Sequence, residues 1–368
     1  MTTPGRLAFL LPHMTGGGAE RVALRLIEDF VAYGHPVDLL LMTQWGELLP
    51  LLPPAVRIID LHAPRVRDVI RPLARYLRTE RPEGLQAFMW PLTVAAVVAH
   101  RLARSNVRLV LSDHTTLSKQ YGHLGRARRA LLRESIRFAY PRADARVAVS
   151  AQAADDLAAV GGLARDGITV IYNPVDRPSA EVRDSAAAQA AAAAWGNATA
   201  RIITVGGLKA AKNQPLLIEA FAILRRSRPA RLVILGEGEL RGKLEALVAA
   251  RGLTGDVVLP GFFTDPWPFY DTAQVFALSS DYEGYGNVLI EAMRAGLSIA
   301  STDCPSGPRE ILDGGTFGRL VPCDDPAALA LALAEMLDHP AHPAIMRARA
   351  EALSGQDTSD RYLELMTA

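Results

Sequence analysis

The chain has 368 residues, 49% of them hydrophobic and 21% charged, with 40 basic against 39 acidic side chains. That length suits about two domains with real cores, and the apolar fraction excludes a disordered chain. A net charge of +1 lacks the cation surplus that a dedicated nucleic-acid binder uses to displace counterions. The balance is unevenly divided: through Pro178 there are 23 basic and 16 acidic residues (+7), and the remainder carries 17 against 23 (−6). Only four basic residues are lysines, and two of them, Lys209 and Lys212, lie three positions apart. Cys304 and Cys323 offer neither a disulfide framework nor metal-ligand spacing, which fits a reducing cytoplasm. Met1 to Arg6 lacks the layout of a signal peptide. The longest apolar stretch, Ala87 to Ala99, is 13 residues with Pro91 inside it, against the ~20 that span a bilayer.

Along the chain, short apolar runs alternate with amphipathic segments, the pattern of βα units and a parallel sheet. Arg6 to Leu11 reads as a buried strand, Gly16 to Gly18 break it, and Ala19 to Tyr33 reads as a helix. Val22, Ala23, Leu26, Ile27, Phe30 and Val31 share one face of it, with Arg21, Arg25, Glu28 and Asp29 opposite. Further strands are expected at Val37 to Thr43, Val56 to Leu61, Leu85 to Met89, Val107 to Ser112, Ala145 to Ser150 and Ile168 to Asp176. A polar, alanine-rich stretch over 179–200 reads as a linker carrying a loose helix. The alternation then restarts, with strands at Arg201 to Val205, Arg231 to Leu235, Val257 to Leu259, Val275 to Leu278 and Leu297 to Ser301. The expected organisation is an α/β domain over 1–178, a linker, a second α/β domain over 201–340, and C-terminal helices over 341–368 that return to the first domain.

The segment Ser279 to Leu312 carries the most chemistry. A strand ends at Leu278, a turn bearing Gly284 and Gly286 follows, and a helix opens near Asn287 with Val288, Leu289, Ala292 and Met293 inward. Unpaired amides at a helix start, with the helix dipole, suit a phosphate, and glycines let a ligand approach the backbone. Glu283 and Glu291 flank this start with seven residues between them. Carboxylates beside an anion site are costly unless they face hydroxyls, and sugar hydroxyls would satisfy them.

This string resembles the retaining glycosyltransferases of family 4, whose signature is such a glutamate pair in a Glu-Gly-aromatic-Gly-Asn setting, followed by a Pro-Ser-Gly-Pro-Arg-Glu-Ile-Leu loop, here Pro305 to Leu312. The resemblance implies the GT-B fold, two facing Rossmann-like domains with parallel sheets and an interdomain cleft. It also implies a nucleotide-diphosphate sugar, expected to be a UDP-sugar, as substrate rather than cofactor. The family's lysine slot at the start of the second domain is filled by Lys212. Gly207 stands where the family's arginine belongs, and Lys209 is the residue that could replace it. Gly17 and Gly18, in Gly16-Gly17-Gly18-Ala19-Glu20-Arg21, resemble the family's N-terminal glycine-rich loop, and His114 follows a strand where the family places a polar residue near the donor sugar. The implied catalytic residues are therefore Glu283, Lys212 and His114. The implied nucleotide-sugar contacts are Gly17, Gly18, Gly207, Lys209, Gly284, Tyr285, Gly286, Asn287, Val288 and Glu291. No Asp-any-Asp triplet occurs, and no metal is expected.

The acceptor is less legible. Lys119 to Arg142 holds seven basic residues against Glu134, interleaved with Leu124, Leu131, Leu132, Ile136, Phe138 and Tyr140, and Arg65 to Arg81 adds a second basic strip. Such a helix reads either as contact with an anionic membrane or a lipid-diphosphate-linked glycan, or as an ordinary α/β helix with arginines in solvent. The expected protein is a cytoplasmic transferase, peripheral on the inner face of the membrane, in lipid-linked or surface-polysaccharide assembly. The alternatives are a catalytically weak nucleotide-sugar-binding regulator or scaffold, which the missing arginine suggests, and another GT-B enzyme such as an epimerase or phosphorylase.

Overall fold

A computed structural model of the chain describes residues 4–175, 185–354 and 357–368. These form two compact units, one of residues 1–174 with 355–368 and the other of residues 175–354.

The first unit carries β1 (Leu7–Leu11), β2 (Val37–Leu41), β3 (Arg57–Asp60), β4 (Gly84–Phe88), β5 (Arg108–Asp113), β6 (Ala145–Ala148) and β7 (Thr169–Val170). They form one parallel sheet in the order β3-β2-β1-β4-β5-β6-β7. β1, β2 and β4 are buried along their whole length, because helices cover both faces of a parallel sheet, and this is why they read as continuous apolar runs. One face packs on the helix Gly18–Ala32 through Val22, Ala23, Leu26, Ile27 and Phe30; the other packs on Val66–Glu80 and Leu92–Ala103.

The second unit carries β8 (Arg201–Val205), β9 (Arg231–Leu235), β10 (Val257–Gly261), β11 (Val275–Leu278), β12 (Ser298–Thr302) and β13 (Arg319–Val321). Its parallel order is β10-β9-β8-β11-β12-β13. β13 has no counterpart among the sequence expectations. It is an edge strand of three residues with Arg319 exposed, so it lacks the apolar run that marks a central strand.

The linker expectation is corrected from residue 185 on. Ser185–Trp195 is a helix of the second unit whose Ala187, Ala191, Ala194 and Trp195 are buried, and the Trp195 indole donates to Thr272 Oγ1 at 2.8 Å. Alanines at i, i+4 and i+7 form a face by being small, which allows close packing without a bulky apolar pattern. The expected domain end at Pro178 and the first part of the linker, 179–184, lie outside the described residues, as does Asp176.

The C-terminal helices divide between the units. Pro343–Leu353 lies in the second unit, where Arg349 donates to the carbonyls of Glu310 and Ile311. Thr358–Thr367 lies in the first, where Tyr362 and Met366 join the core around Leu7, Phe9 and Phe88. Arg361 there donates to Val170 O, and Arg108 donates to Leu365 O. Among the described residues no helix is long and apolar enough to cross a membrane.

Among the described residues the first unit buries three carboxylates, Glu20, Asp38 and Asp113. Asp38, fully enclosed in β2, accepts hydrogen bonds from Arg6, Arg57 and Tyr76. Burial works against its charge, but the bonds from Arg57, Tyr76 and Arg6 outweigh burial and hold the carboxyl below its usual range. A depressed native value stabilises the fold above the unfolded value of ~3.9 and ceases to do so as pH falls through the folded value. Asp38→Asn is expected to cost about 3 kcal/mol near neutrality. In denaturant melts the gap from the parent chain should shrink as pH falls through the native value; a gap independent of pH would refute this.

Candidate functional site

In each unit the strand order reverses beside the first strand, between β1 and β4 in one and between β8 and β11 in the other. Open α/β sheets bind ligands at such points, beyond the carboxyl ends of the strands.

In the second unit the loop after β8 runs through Gly206 and Gly207 into a short turn, Ala210–Lys212, and then the helix Gln214–Arg225, whose cap Asn213 accepts from Leu216 N. The loop after β11 runs from Ser279 to Gly286 and enters the helix Asn287–Ala295. The two loops are bonded together. Asp281 N donates to Ala211 O, Ser279 Oγ to Lys212 O and Asn213 Nδ2 to Asp281 Oδ1. Lys212 Nζ reaches Glu283 Oε1 at 2.6 Å, and Ser280 Oγ donates to the same oxygen at 2.6 Å. Both partners are largely enclosed, at 25% and 10% side-chain exposure, so salt screens this pair less than a surface one.

The glycine turn is held from behind by the loop after β12. Glu283 N donates to Pro305 O, Thr302 Oγ1 to Ser280 O and Ser306 Oγ to Gly284 O. Gly307 has a φ of 103°, and a Cβ there would overlap the carbonyl of Tyr285. The Tyr285 ring is buried at 2% exposure, so this residue offers a ligand its backbone rather than its side chain. Gly286 caps the helix Asn287–Ala295 and, having no side chain, places none of its own over the helix start. Leu289, Ile290, Ala292 and Met293 face inward; Val288 is half-buried, correcting the expectation that it belongs to the inward set. Glu291 accepts from the Tyr270 hydroxyl at 2.7 Å, which fixes a carboxylate otherwise free to rotate.

Lys209 is exposed and its stem folds over Gly207, where a Cβ would sit 3.2 Å from Lys209 Cε. Cys304 lies within electrostatic reach of Glu283 and Cys323; burial pushes its thiol well above the usual range, so it stays protonated and unreactive.

In the first unit Gly17 caps the helix Gly18–Ala32 in the loop after β1. His114 follows β5, with its ring stacked on Phe88 at 5.2 Å and Nε2 3.1 Å from Ser112 Oγ. Ser112 Oγ also accepts from Gln86 Nε2 at 2.8 Å, which ties the His114 ring to β4 through one hydroxyl. Its Nδ1 is buried without a hydrogen-bond partner among the described residues. Burial pushes the imidazole pKa down to about 3, so His114 is a neutral hydrogen-bonding group across the physiological range. Asp113 is raised to about 6, by burial against the bonds it accepts from Tyr140 and the Trp90 amide; those bonds commit its carboxylate to the protein.

Thus Lys212, Glu283, the Gly284–Gly286 turn and the Asn287 helix start share one switch point in the second unit, with Lys209, Gly207 and Glu291 on the same elements. Gly17, Gly18 and His114 stand on strand ends of the first unit. Sequence reasoning missed Ser280, Tyr270 and Ser306: a serine three residues before Glu283 is unremarkable in sequence, and Tyr270 and Ser306 lie 21 and 22 residues from the groups they bond.

Two parallel-sheet units with a carboxylate, an ammonium and a glycine-rich helix start at a switch point define the class of GT-B proteins that handle activated sugars. A family model described as Glycosyltransferase Family 4 matches residues 16–177, and one described as Glycosyl transferases group 1 matches residues 199–339. The chain is 28% identical over 344 residues, 90% of each protein, to the N-acetylgalactosamine-N,N'-diacetylbacillosaminyl-diphospho-undecaprenol 4-alpha-N-acetylgalactosaminyltransferase of Campylobacter jejuni. It is 30% identical over 172 residues to the lipopolysaccharide core biosynthesis glycosyltransferase LpsE of Rhizobium meliloti, 45% of this chain and 49% of that one. HepE of Anabaena, solved with UDP-glucose, shares the fold at a TM-score of 0.80 over 98% of both chains, with 20% identity. The chain belongs to the GT-B glycosyltransferases matched by these family 4 and group 1 models.

Gly307→Ala should displace the Tyr285 carbonyl and cost about 2 kcal/mol or more. A melting temperature equal to that of the parent chain would show that the turn is not held from behind as described.

Proposed function

We propose that the chain transfers a sugar, with retention, from a nucleotide-diphosphate sugar to a hydroxyl of a lipid-linked or surface-polysaccharide precursor. The observation that carries this reading is the Lys212–Glu283 pair beside the glycine turn and helix start. In the reaction the acceptor oxygen bonds to the anomeric carbon as the bond from that carbon to the phosphate oxygen breaks. The acceptor proton passes to the leaving diphosphate, and attack on the face the diphosphate leaves accounts for retention.

Growing charge on the diphosphate meets the Lys212 ammonium and the amides at Gly286, Asn287 and Val288. Such oriented donors are worth a few kcal/mol each where water is excluded. Glu283 holds donor-sugar hydroxyls; Glu291, steadied by Tyr270, holds the ribose hydroxyls. Neutral His114 offers a hydrogen bond to the donor sugar, Gly17 and Gly18 offer amides, and Lys209 takes the phosphate contact that an arginine at 207 would make. Charge neutralisation rests on side chains and amides, which suits a metal-independent reaction. A UDP-sugar as donor is supported by the UDP-glucose held by HepE, and a polyprenyl-diphosphate-linked glycan as acceptor by the named activity of the Campylobacter relative.

The reading includes a place on the inner face of the cytoplasmic membrane. At 100° per residue the helix Arg126–Ala139 divides into three stripes. Leu132, Ile136 and Ala139 are buried; Arg129, Arg133 and Arg137 form an exposed basic stripe; Ala127, Leu131 and Phe138 form an exposed apolar one. Leu131 is 64% and Phe138 44% exposed, with the Arg142 guanidinium 4.2 Å above the Phe138 ring. Cations beside exposed apolar side chains suit the headgroup boundary of an anionic bilayer. Arg65, Arg67, Arg71, Arg75, Arg78 and Arg81 add an exposed basic strip.

Glu283→Ala and Lys212→Ala should each lower sugar transfer by ~10² or more. Rates within about threefold of the parent would remove the assignment. Charge reversal at Arg126, Arg128 and Arg129 should weaken flotation with anionic vesicles most at low salt, leaving the nucleotide-induced thermal shift in place. Undiminished vesicle binding would end the membrane reading.

A further inference from the structure

At the carboxyl ends of β1 and β2 the first unit holds an aromatic side chain in solvent on a rigid support. Trp45 is 52% exposed. Its backbone is not mobile in design: Met14 N donates to Trp45 O, Leu48 N to Met14 O and Thr43 N to Pro12 O, with Met14 and Leu48 both fully buried. Gly46, at φ 130°, lies so close that a Cβ would overlap the Met14 backbone. The two loops are therefore laced together, and the indole is displayed rather than merely uncovered.

Beside it stands His13, its ring 4.9 Å from the indole and tilted by 52°, so that the two rings make a corner. The imidazole is fixed from the opposite side. Its Nδ1 is 3.2 Å from Thr15 Oγ1 and 3.6 Å from Glu20 Oε1, and Thr15 donates to that same carboxylate oxygen. Glu20 is buried at 6% exposure in the first turn of the helix that follows the glycine loop. Nε2 of His13 is left without a partner among the described residues.

A flat apolar face next to one directed polar atom selects a ligand with the same division. A pyranose ring has it: one face of C–H bonds to lie on the indole, and equatorial hydroxyls at the rim within reach of Nε2. A nucleobase could stack on the indole too, but the corner's single directed polar atom matches one rim hydroxyl of a sugar better than a base edge with several donors and acceptors. An alkyl chain would leave the oriented imidazole without a role.

We propose that Trp45 and His13 form a subsite for a pyranose ring, the terminal sugar of the acceptor, so that the acceptor is already glycosylated when it reaches the enzyme. Trp45 supplies the stacking surface, His13 the hydrogen bond, and Thr15 and Glu20 hold the imidazole in place. The assignment to the acceptor rests on the transferase reading above; the sugar-binding corner itself does not.

The test uses the full chain labelled with 5-fluorotryptophan, which carries four indoles, with Trp45→Phe assigning the Trp45 resonance. Methyl pyranosides and short methyl oligosaccharides, added without nucleotide to roughly millimolar levels, should shift the Trp45 signal saturably, and His13→Ala should weaken the response several-fold. UDP alone should leave that signal in place. Absence of a shift with every glycoside, or an equal shift of all four indoles, overturns the subsite whether or not the chain transfers sugar. Where transfer is measurable, Trp45→Ala should raise the KM for a glycan acceptor about tenfold and move the KM for the nucleotide sugar by less than about twofold. The reverse split puts the ring on the donor and overturns the acceptor assignment.

Discussion

The structure depends on a constraint of chain routing. In each unit the polypeptide lays its first three strands outward on one side, then returns to the other side of the first strand before continuing. Two loops must diverge where that return begins, and no helix can cross over the strand ends between them. In the second unit the loops that diverge after β8 and β11 are the ones that carry Lys212 and Glu283, 71 residues apart in sequence and hydrogen-bonded in space. The pair is thus a product of strand order. The serine, threonine and backbone bonds around it serve to keep two loops that topology separates from drifting apart.

The strands could be read from sequence because burial on both faces of a parallel sheet writes itself as continuous apolar runs, as in Leu7–Leu11 and Arg231–Leu235. Edges and small-residue packing are written more faintly. Arg319–Val321 lacks a run, and Ser185–Trp195 packs through alanines whose contribution is the absence of bulk. The glutamates, Lys212 and the glycine turn were legible because they crowd into short segments with a family resemblance. Ser280 on Glu283, Tyr270 on Glu291 and Gly307 behind Tyr285 were not, since each matters through a neighbour supplied by tertiary structure. Trp45 falls between these cases. Its residue type is visible in the sequence, but its exposure is a property of the laced loops around it.

The division of charge noted in the sequence acquires surfaces. Basic residues of the first unit stand in solvent on the helices Val66–Glu80 and Arg126–Ala139, clear of the sheet they cover. Buried acid in that unit is either paired with arginines, as Asp38 is, or turned inward on helix starts and hydroxyls, as Glu20 is. The positive excess is therefore carried outward, while the carboxylates that remain inside serve geometry.

The last helix, Thr358–Thr367, belongs to the first unit although the helix before it belongs to the second. During synthesis the second unit is a continuous segment that can close as soon as it has left the ribosome, whereas the first begins earliest and lacks part of its core until Tyr362 and Met366 emerge. The unit that starts first finishes last. A fragment ending at residue 174 would carry all seven strands of its sheet and still leave Leu7, Phe9 and Phe88 short of core neighbours, so sheet completeness and domain completeness are different things in this chain.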